Sequence, residues 1–480
     1  MKNVIALLLC VGCWFQSLCQ AQNPSDSLSL NLYEVLDIVA EYHPLVRQAN
    51  LQPGFAEAEL RTARGLMDPK IGASFDQKMI KGTQYHQKFN SALKVPVWFP
   101  IDPKIELSNT QGVYLNEEDR IFNSENWQVI AGVSLPIGKG LFIDERRSTI
   151  QQAKFYTDLA QAEQTKAINK VLFTVIKSYW EWYFSYQNFN LMSRSIGIAQ
   201  ELFNRTKIDF AYGEAAVIDT VQALITLQSR IVDFEKAKLE RQKAGYTLSI
   251  HLWGPNDIPV EIDNLTVPVY AKDFGFVPQD SSIQKLIVWS SKNHPDILKL
   301  GAKKEQLEIE ERWNKESLKP EINLSYSLID APISYDGYNT PDWNDSYKLG
   351  VDFAFPLFLR KERGKLQKTQ LYIESTDYSI DQIVQEIDAE VKAAFAELKT
   401  SKILADQYSD MAKNYETLLQ AEIFNLENGE SDLFKLNIQQ EKYLEAQRKY
   451  YDADLKFQKL KVSLPYVIGL PDLSYKAMYE

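Results

Sequence analysis

The chain has 480 residues, 45% hydrophobic and 24% charged, the composition of a folded protein and not of a disordered one. Its formal charge of -11 argues against nucleic acid as a partner, because duplex binding needs concentrated basic patches that displace counterions. Two or three ordinary domains would fit this length, yet the pattern along the chain reads as one body built twice.

A basic start at Lys2, an apolar run from Val4 and a small-residue exit at Cys19-Gln20-Ala21 read as a secretory signal peptide, residues 1–21. All three cysteines, Cys10, Cys13 and Cys19, fall inside it, so the expected mature chain has none. That suits an oxidising compartment and leaves no disulfide, zinc thiolate or thiol nucleophile. Cys13 after Gly12 is a weak lipoprotein cue, since Cys10 stands where leucine is usual, and lipidation is the lesser reading. Beyond the signal no apolar run reaches the ~20 residues of a spanning helix, so any entry into a membrane has to use strands.

The next element is helical, with Leu32, Val35, Leu36 and Val39 at spacings of three and four. A strand headed by Pro69 follows, and then a second, from Trp127, that sets Val129, Ala131, Val133 and Leu135 against Gln128, Ile130, Gly132 and Ser134 until Pro136 ends it. A long helix is expected next, its seam marked by Ile168, Leu172, Val175, Tyr179 and Trp182. It breaks once, at Gly213-Glu214, and a return helix of roughly 35 residues continues from there.

The second half repeats this order. Ile283, Leu286 and Ile287 mark the first helix, and Ile322, Leu324, Tyr326 and Leu328 alternate with Glu321, Asn323, Ser325 and Ser327 in a strand. A further strand sets Tyr347, Leu349, Val351, Phe353 and Phe355 against Lys348, Gly350, Asp352 and Ala354 before Pro356. From Leu366 to Asn428 there is neither glycine nor proline, and Ile380, Val384, Ile387, Val391, Ala394 and Leu398 form a heptad seam. About 60 such residues reach roughly 90 Å at the helical rise. Gly429-Glu430 then breaks the helix as Gly213-Glu214 does.

His43 and His294 are 251 residues apart, as are Pro69 and Pro320, whereas Glu145 and Glu362 are 217 apart and Gly213 and Gly429 are 216 apart. The chain is therefore an internal duplication, with repeats at 22–270 and 271–480. The change of spacing falls between Asp76 and Trp127, where an inserted loop is expected. Four alternating strands have the length that crosses a bilayer, but four cannot close a barrel, so they must be pooled with other copies. Trp98, Phe99, Trp127 and Trp343 flank the strands, where aromatic girdles are expected, although a soluble sheet with core aromatics would show the same residues.

This doubled order of helix, strand, loop, strand, long helix, turn and helix resembles the TolC family of outer-membrane efflux channels. The resemblance rests on His43-Pro44 and His294-Pro295 at helix starts, Gly350-Val351 leading to Pro356-Leu357-Phe358, and the tips Phe210 to Asp219 and Phe424 to Lys435. Departing from the family's pattern, histidine stands where Asn-Pro is more usual. The resemblance implies a mainly α fold with a membrane β-barrel: coiled-coil α-hairpins forming an α-barrel, and four strands per chain in a homotrimeric twelve-stranded barrel. The residues between Asp76 and Trp127 would then be an enlarged extracellular loop. It also implies a passive exit duct in the outer membrane with a periplasmic helical extension, working with a periplasmic adaptor and an inner-membrane pump of RND or ABC type.

No catalytic set is visible in the sequence, and neither a cofactor nor a metal is expected; an enzyme is therefore not expected. His43, His86, His251 and His294 are scattered, and two of them open duplicated helices. The tips carry the site hypothesis. The resemblance implies closure by polar and charged tip contacts, including an aspartate six residues past the first tip glycine, here Asp219. The matching position of the second tip is Lys435, where the family's best-known members carry an aspartate, and a further such position falls on Ile438. Asp219 and Lys435 are thus gate candidates, expected to pair across neighbouring hairpins unless they are two unrelated solvated charges. Gly213, Glu214, Gly429 and Glu430 are candidates for adaptor contact, with each glutamate expected in the first turn of its return helix. The alternative class is a surface-anchored coiled-coil structural or adhesion protein without a pore.

Overall fold

The computed structural model describes residues 29–113, 127–263, 265–272, 274–275, 277–333 and 346–471. The expected signal peptide with its three cysteines, and Trp343, lie outside them. Two compact units emerge, and both draw on the two sequence halves. Of the described residues, one comprises those within 48–169, 278–393 and 467–471, the other those within 29–47, 170–277 and 394–466.

The first unit is built on a sheet. Its strands are β2 (Lys70–Ile80), β3 (Thr83–Lys94), β4 (Asp102–Gln111), β5 (Trp127–Pro136), β9 (Glu321–Ile333) and β10 (Tyr347–Ala354). They lie in the order β10-β9-β5-β4-β3-β2, every neighbour antiparallel. This corrects the expected four strands, because residues 83–111 of the inserted segment are two further strands inside the sheet and not a loop. Lys81 and Gly82, with φ +45° and +76°, form the two-residue turn between β2 and β3. Positive φ at both positions is the backbone of a type I′ turn, whose twist matches that of paired strands.

The sheet has two unlike faces. One row across all six strands reads Ile71, Leu93, Ile105, Ala131, Leu328 and Tyr347. The neighbouring row on the opposite face reads Lys70, Lys94, Lys104, Gly132, Ser327 and Lys348. The apolar side is exposed in the single chain, with Ile71, Val351 and Phe353 at 79%, 63% and 68%. Since the side-chain period of a strand is two, this alternation gives the sheet one apolar and one polar face. Trp98 and Phe99 sit in the turn between β3 and β4, and Trp127, at the start of β5, packs edge-on against Phe89 with ring centres 5.5 Å apart.

The strand-to-helix joint is charged. The helix α4 (Glu145–Tyr212) is started by Asp144, whose Oδ1 accepts the Arg147 N–H at 2.8 Å. Arg146 donates to both carboxylate oxygens of Asp102 at 3.1 and 3.2 Å, tying that start to β4. Helix α6 (Ile283–Asn293), α7 (Pro295–Glu316) and the first part of α8 (Arg360–Glu427) belong to the same unit, as does α3 (Gln52–Arg64). Lys304 pairs with Asp377 at 2.6 Å and Lys299 with Glu163 at 2.6 Å, exposed contacts of little energy.

The second unit is helical. It begins with β1 (Ser29–Leu30), α1 (Leu32–Tyr42) and the first residues of α2 (Pro44–Ala49). Asn31 and Glu34 form a capping box on α1, and Leu32, Val35 and Val39 are fully buried, as the spacing predicts. The rest is the later part of α4 with α5 (Val217–Ser249), and the later part of α8 with α9 (Leu433–Ile468). Between α5 and α6 in the chain lie three two-residue strands, β6 (Trp253–Gly254), β7 (Ile258–Pro259) and β8 (Val267–Pro268), of which β8 pairs with β1. Tyr179 is fully buried, and its hydroxyl lies 2.6 Å from the Val269 carbonyl oxygen and 3.1 Å from the Val269 N–H, which fastens α4 to that pairing. Burial raises the Tyr179 phenol far above its ordinary range.

Helices α4 and α5 run antiparallel: Phe189 meets Phe234 with ring centres 5.2 Å apart, and Leu191 and Met192 share a buried cluster with Ala237 and, from α9, Leu444. In α8 the seam expected from Ile380 to Leu398 is half-buried at Ile380 and Val384, buried from Ile387 onward, and continues through Ala405, Ala412 and Leu419. Heptad spacing needs this burial, because the apolar stripe of a supercoiled helix must face a partner along its whole length.

Candidate functional site

Both long helices stop by the same backbone device. Gly213 follows α4 at φ +81°, in the left-handed region that glycine enters without a Cβ clash. Its N–H donates to the Phe210 carbonyl at 3.0 Å, and the Glu214 N–H donates to the Asp209 carbonyl at 2.8 Å. This pair of bonds is the Schellman closure of a helix end. At the end of α8, Gly429 has φ +76°, its N–H donates to Leu426 at 3.1 Å and the Glu430 N–H donates to Asn425 at 2.9 Å. No neighbouring heavy atom lies within 4 Å of a Cβ built at either glycine, so backbone conformation and not crowding selects the residue.

The return helices start by two different devices. Before α5 stands Ala216, which has no side chain to cap with, and Asp219 reaches back so that its Oδ2 accepts the Ala216 N–H at 2.9 Å. Before α9 stands Asp432, whose Oδ1 accepts the Lys435 N–H at 2.9 Å, while its carbonyl accepts the Leu436 N–H at 3.2 Å. The Lys435 ammonium lies 3.7 Å from the second Asp432 oxygen. The Ser431 hydroxyl donates to the Glu422 carboxylate, which ties this turn back to α8. A capping box joins an acceptor at the N-cap with an acid three residues on. Each tip has one of its two halves.

This geometry revises the expected roles. Glu214 and Glu430 lie in the turns, three residues before α5 and α9 begin, so neither is in the first turn of a helix; the acid in the first turn of α5 is Asp219. Among the described residues no ion pair joins Asp219 to Lys435. Each is held within its own tip, by Ala216 and by Asp432. Sequence reasoning passed over Asp432 and Ser431, although an aspartate directly before Leu433-Phe434 is an N-cap signal. It also passed over the apolar surface of the tips, where Tyr212, Ile218 and Phe434 are 81%, 68% and 62% exposed.

Above the tips a charge cluster centred on the buried Arg230 connects α5 with α9. Arg230, 5% exposed, lies 3.7 Å from Asp233 and 3.9 Å from Glu441, and Arg448 lies 3.7 Å from Asp233. Burial lowers the Arg230 pKa, and the charges of Glu441 and Asp233 oppose that only in part. Any motion that parts the two helices here separates these groups.

The histidines behave as helix starters. His43 Nδ1 accepts the Leu45 N–H at 3.1 Å and His294 Nδ1 accepts the Asp296 N–H at 3.2 Å, so each ring caps the start of its helix. His43 also stacks on His251, and burial lowers the pKa of both. Among the described residues no group of three or more His, Cys, Asp and Glu side chains is arranged to hold a metal ion, and no helix is long and apolar enough to cross a membrane.

Residues 103–252 match the family model described as outer membrane efflux protein. No curated protein matches the chain by sequence. Among solved structures, the CmeC outer membrane channel of Campylobacter jejuni is similar with a TM-score of 0.63 at 15% identity, covering 91% of this chain and 85% of that one. The open MtrE outer membrane channel of Neisseria gonorrhoeae has a TM-score of 0.65 at 16% identity, with 91% and 88% covered. The outer membrane protein VceC of Vibrio cholerae has a TM-score of 0.61 at 13% identity, with 91% and 96% covered. The resemblance to the TolC family drawn from the doubled order of elements is borne out: the chain has the fold of these channels.

Proposed function

We propose that the chain is the outer-membrane channel of a tripartite efflux or type I secretion system, a passive duct whose helical tips are the gate. The observation that carries this reading is the sheet, apolar on one face and lysine-rich on the other, with both edges open. Such a sheet is unstable in water as a lone surface and unsatisfied in lipid as a lone strand set, but it is a fitting wall segment for a barrel shared among copies. A homotrimer, a periplasmic adaptor and an inner-membrane pump of RND or ABC type are the partners this reading requires. The repeats, 22–270 and 271–480, supply one hairpin tip each.

Gating then consists of separating tips, with no bond made or broken. Gly213, Glu214, Gly429 and Glu430 are the adaptor-facing residues, and the exposed Tyr212, Ile218 and Phe434 are apolar surface for neighbouring copies or the adaptor to cover. Asp219 and Lys435 act on the gate through the shape of their own tips. The test is reconstitution of the purified full chain: heat-resistant trimers from the outer-membrane fraction that conduct in planar bilayers support the duct, and trimers without conductance leave a surface-anchored scaffold instead.

A further inference from the structure

We propose that the hairpin of β3 and β4 is membrane wall, and that β2 of one copy pairs with β10 of the next, so that three copies close an eighteen-stranded barrel. The inference rests on the trimeric duct proposed above and deepens it by setting the width of the exit. Four strands per copy would give twelve; the sheet has six.

The inserted strands are interior members of the sheet. β3 is paired with β2 on one side and β4 on the other, and β4 lies between β3 and β5. They have 12 and 10 residues, against 11 and 10 in the flanking β2 and β5, and about 9 to 11 residues are what a tilted strand needs to cross a bilayer. The apolar row from Ile71 to Tyr347 passes through Leu93 and Ile105 without a break in side. A loop standing outside the membrane has no reason to keep that register.

The edges suit one another. An even number of alternating strands leaves β2 and β10 running in opposite directions, so rotation of a second copy about an axis along the barrel sets its β10 beside β2 antiparallel, the pattern of outer-membrane barrels. Their faces also agree: Ile71 and Phe75 on β2 share the apolar side with Leu349, Val351 and Phe353 on β10. On the polar side β2 carries Lys70, Asp76 and Lys78 and β10 carries Lys348 and Asp352, so each edge offers both signs of charge. Six strands cannot close alone, since single-chain barrels begin at eight, and an open edge in lipid leaves a full row of N–H and C=O groups unpaired. Barrel diameter grows roughly linearly with strand number, so eighteen strands give a lumen about half again as wide as twelve.

No cysteine lies beyond Cys19, so single cysteines report cleanly. Full-length variants Phe89→Cys, Asn90→Cys, Ser91→Cys and Ala92→Cys are expressed in cells, each checked for heat-resistant trimers, and treated with a membrane-impermeant maleimide. In a wall, Asn90→Cys and Ala92→Cys label at least about tenfold faster than Phe89→Cys and Ser91→Cys, because only the even positions face water. Trimers in which all four label alike overturn the eighteen-stranded wall while leaving the duct intact. Absence of trimers from every variant and from the parent chain overturns both. Independently, Ser74→Cys combined with Gly350→Cys or Asp352→Cys is oxidised in membranes: disulfide-linked trimers support β2 pairing with β10, and monomers alone from an otherwise trimeric protein overturn it.

Discussion

At the first tip an alanine stands at the N-cap and an aspartate three residues on; at the second an aspartate stands at the N-cap and a lysine three residues on. The incoming helix ends identically in both, with glycine at positive φ and two Schellman bonds. The acid has moved, and with it the group it satisfies: Asp219 serves the N-cap N–H from inside the helix, and Asp432 serves an N–H inside the helix from the cap. The helix macrodipole favours an acid at either place. What differs is the surroundings. The second turn is tied further by Ser431 to Glu422 and by Lys435 to Asp432, whereas the first presents Ala215, Ala216, Val217 and Ile218. The first tip therefore depends more on whatever covers it.

The strongest way to break this comparison is to remove the feature the tips share. Gly213→Ala and Gly429→Ala each force an L-residue into the left-handed region, at about 1 to 2 kcal/mol. Since a Cβ meets nothing at either site, amide exchange around the altered tip should accelerate by a similar factor, roughly tenfold, in both variants. Unequal factors would show that the two closures are not equivalent.

The next effect separates the tips. Asp432→Ala removes an N-cap at about 1 kcal/mol and should speed exchange of the Lys435 amide severalfold, with Asp432→Ser largely restoring it. Asp219→Ala should cost about 0.5 kcal/mol, because it strips only the returning half of a capping box, and the exchange change should be confined to residues 214–220. An unchanged single-channel conductance in Asp219→Ala would remove this residue from the gate. Lys435→Ala is expected to have the smallest effect, under about 0.5 kcal/mol, since it loses only an exposed pair within one turn. If instead it opens the channel, Lys435 has a partner on a neighbouring copy.

Much of this molecule was legible in local pattern. Gly213 and Gly429 stood out against helical runs without other breaks, Val175, Tyr179 and Trp182 marked a seam that is buried, and the alternation in Ile322 to Leu328 assigned one face of the sheet. The exact start of each return helix was less legible: Glu214 and Glu430 beside the glycines look like first-turn acids, yet the Schellman closure takes up the residues after each glycine before a new helix begins. Asp432 was hidden because the duplication drew attention to Lys435, its counterpart to Asp219.

The inserted hairpin shows where local pattern fails. On the apolar side β3 offers Gln87, Phe89, Ser91 and Leu93, and β4 offers Ile105, Leu107, Asn109 and Gln111, so neither alternates well enough to declare itself a strand. The one direct signal is Lys81-Gly82, a dipeptide suited to a two-residue hairpin turn. By itself the amino-acid sequence determined the doubled plan, the helix breaks and the two-faced character of the stronger strands, because each of these follows from the dihedral freedom of glycine or from a side-chain period of 2 or 3.5. Only the tertiary structure decided that β3 and β4 join the sheet and which backbone N–H each tip acid serves, because strand pairing and capping depend on where partner groups from elsewhere in the chain arrive.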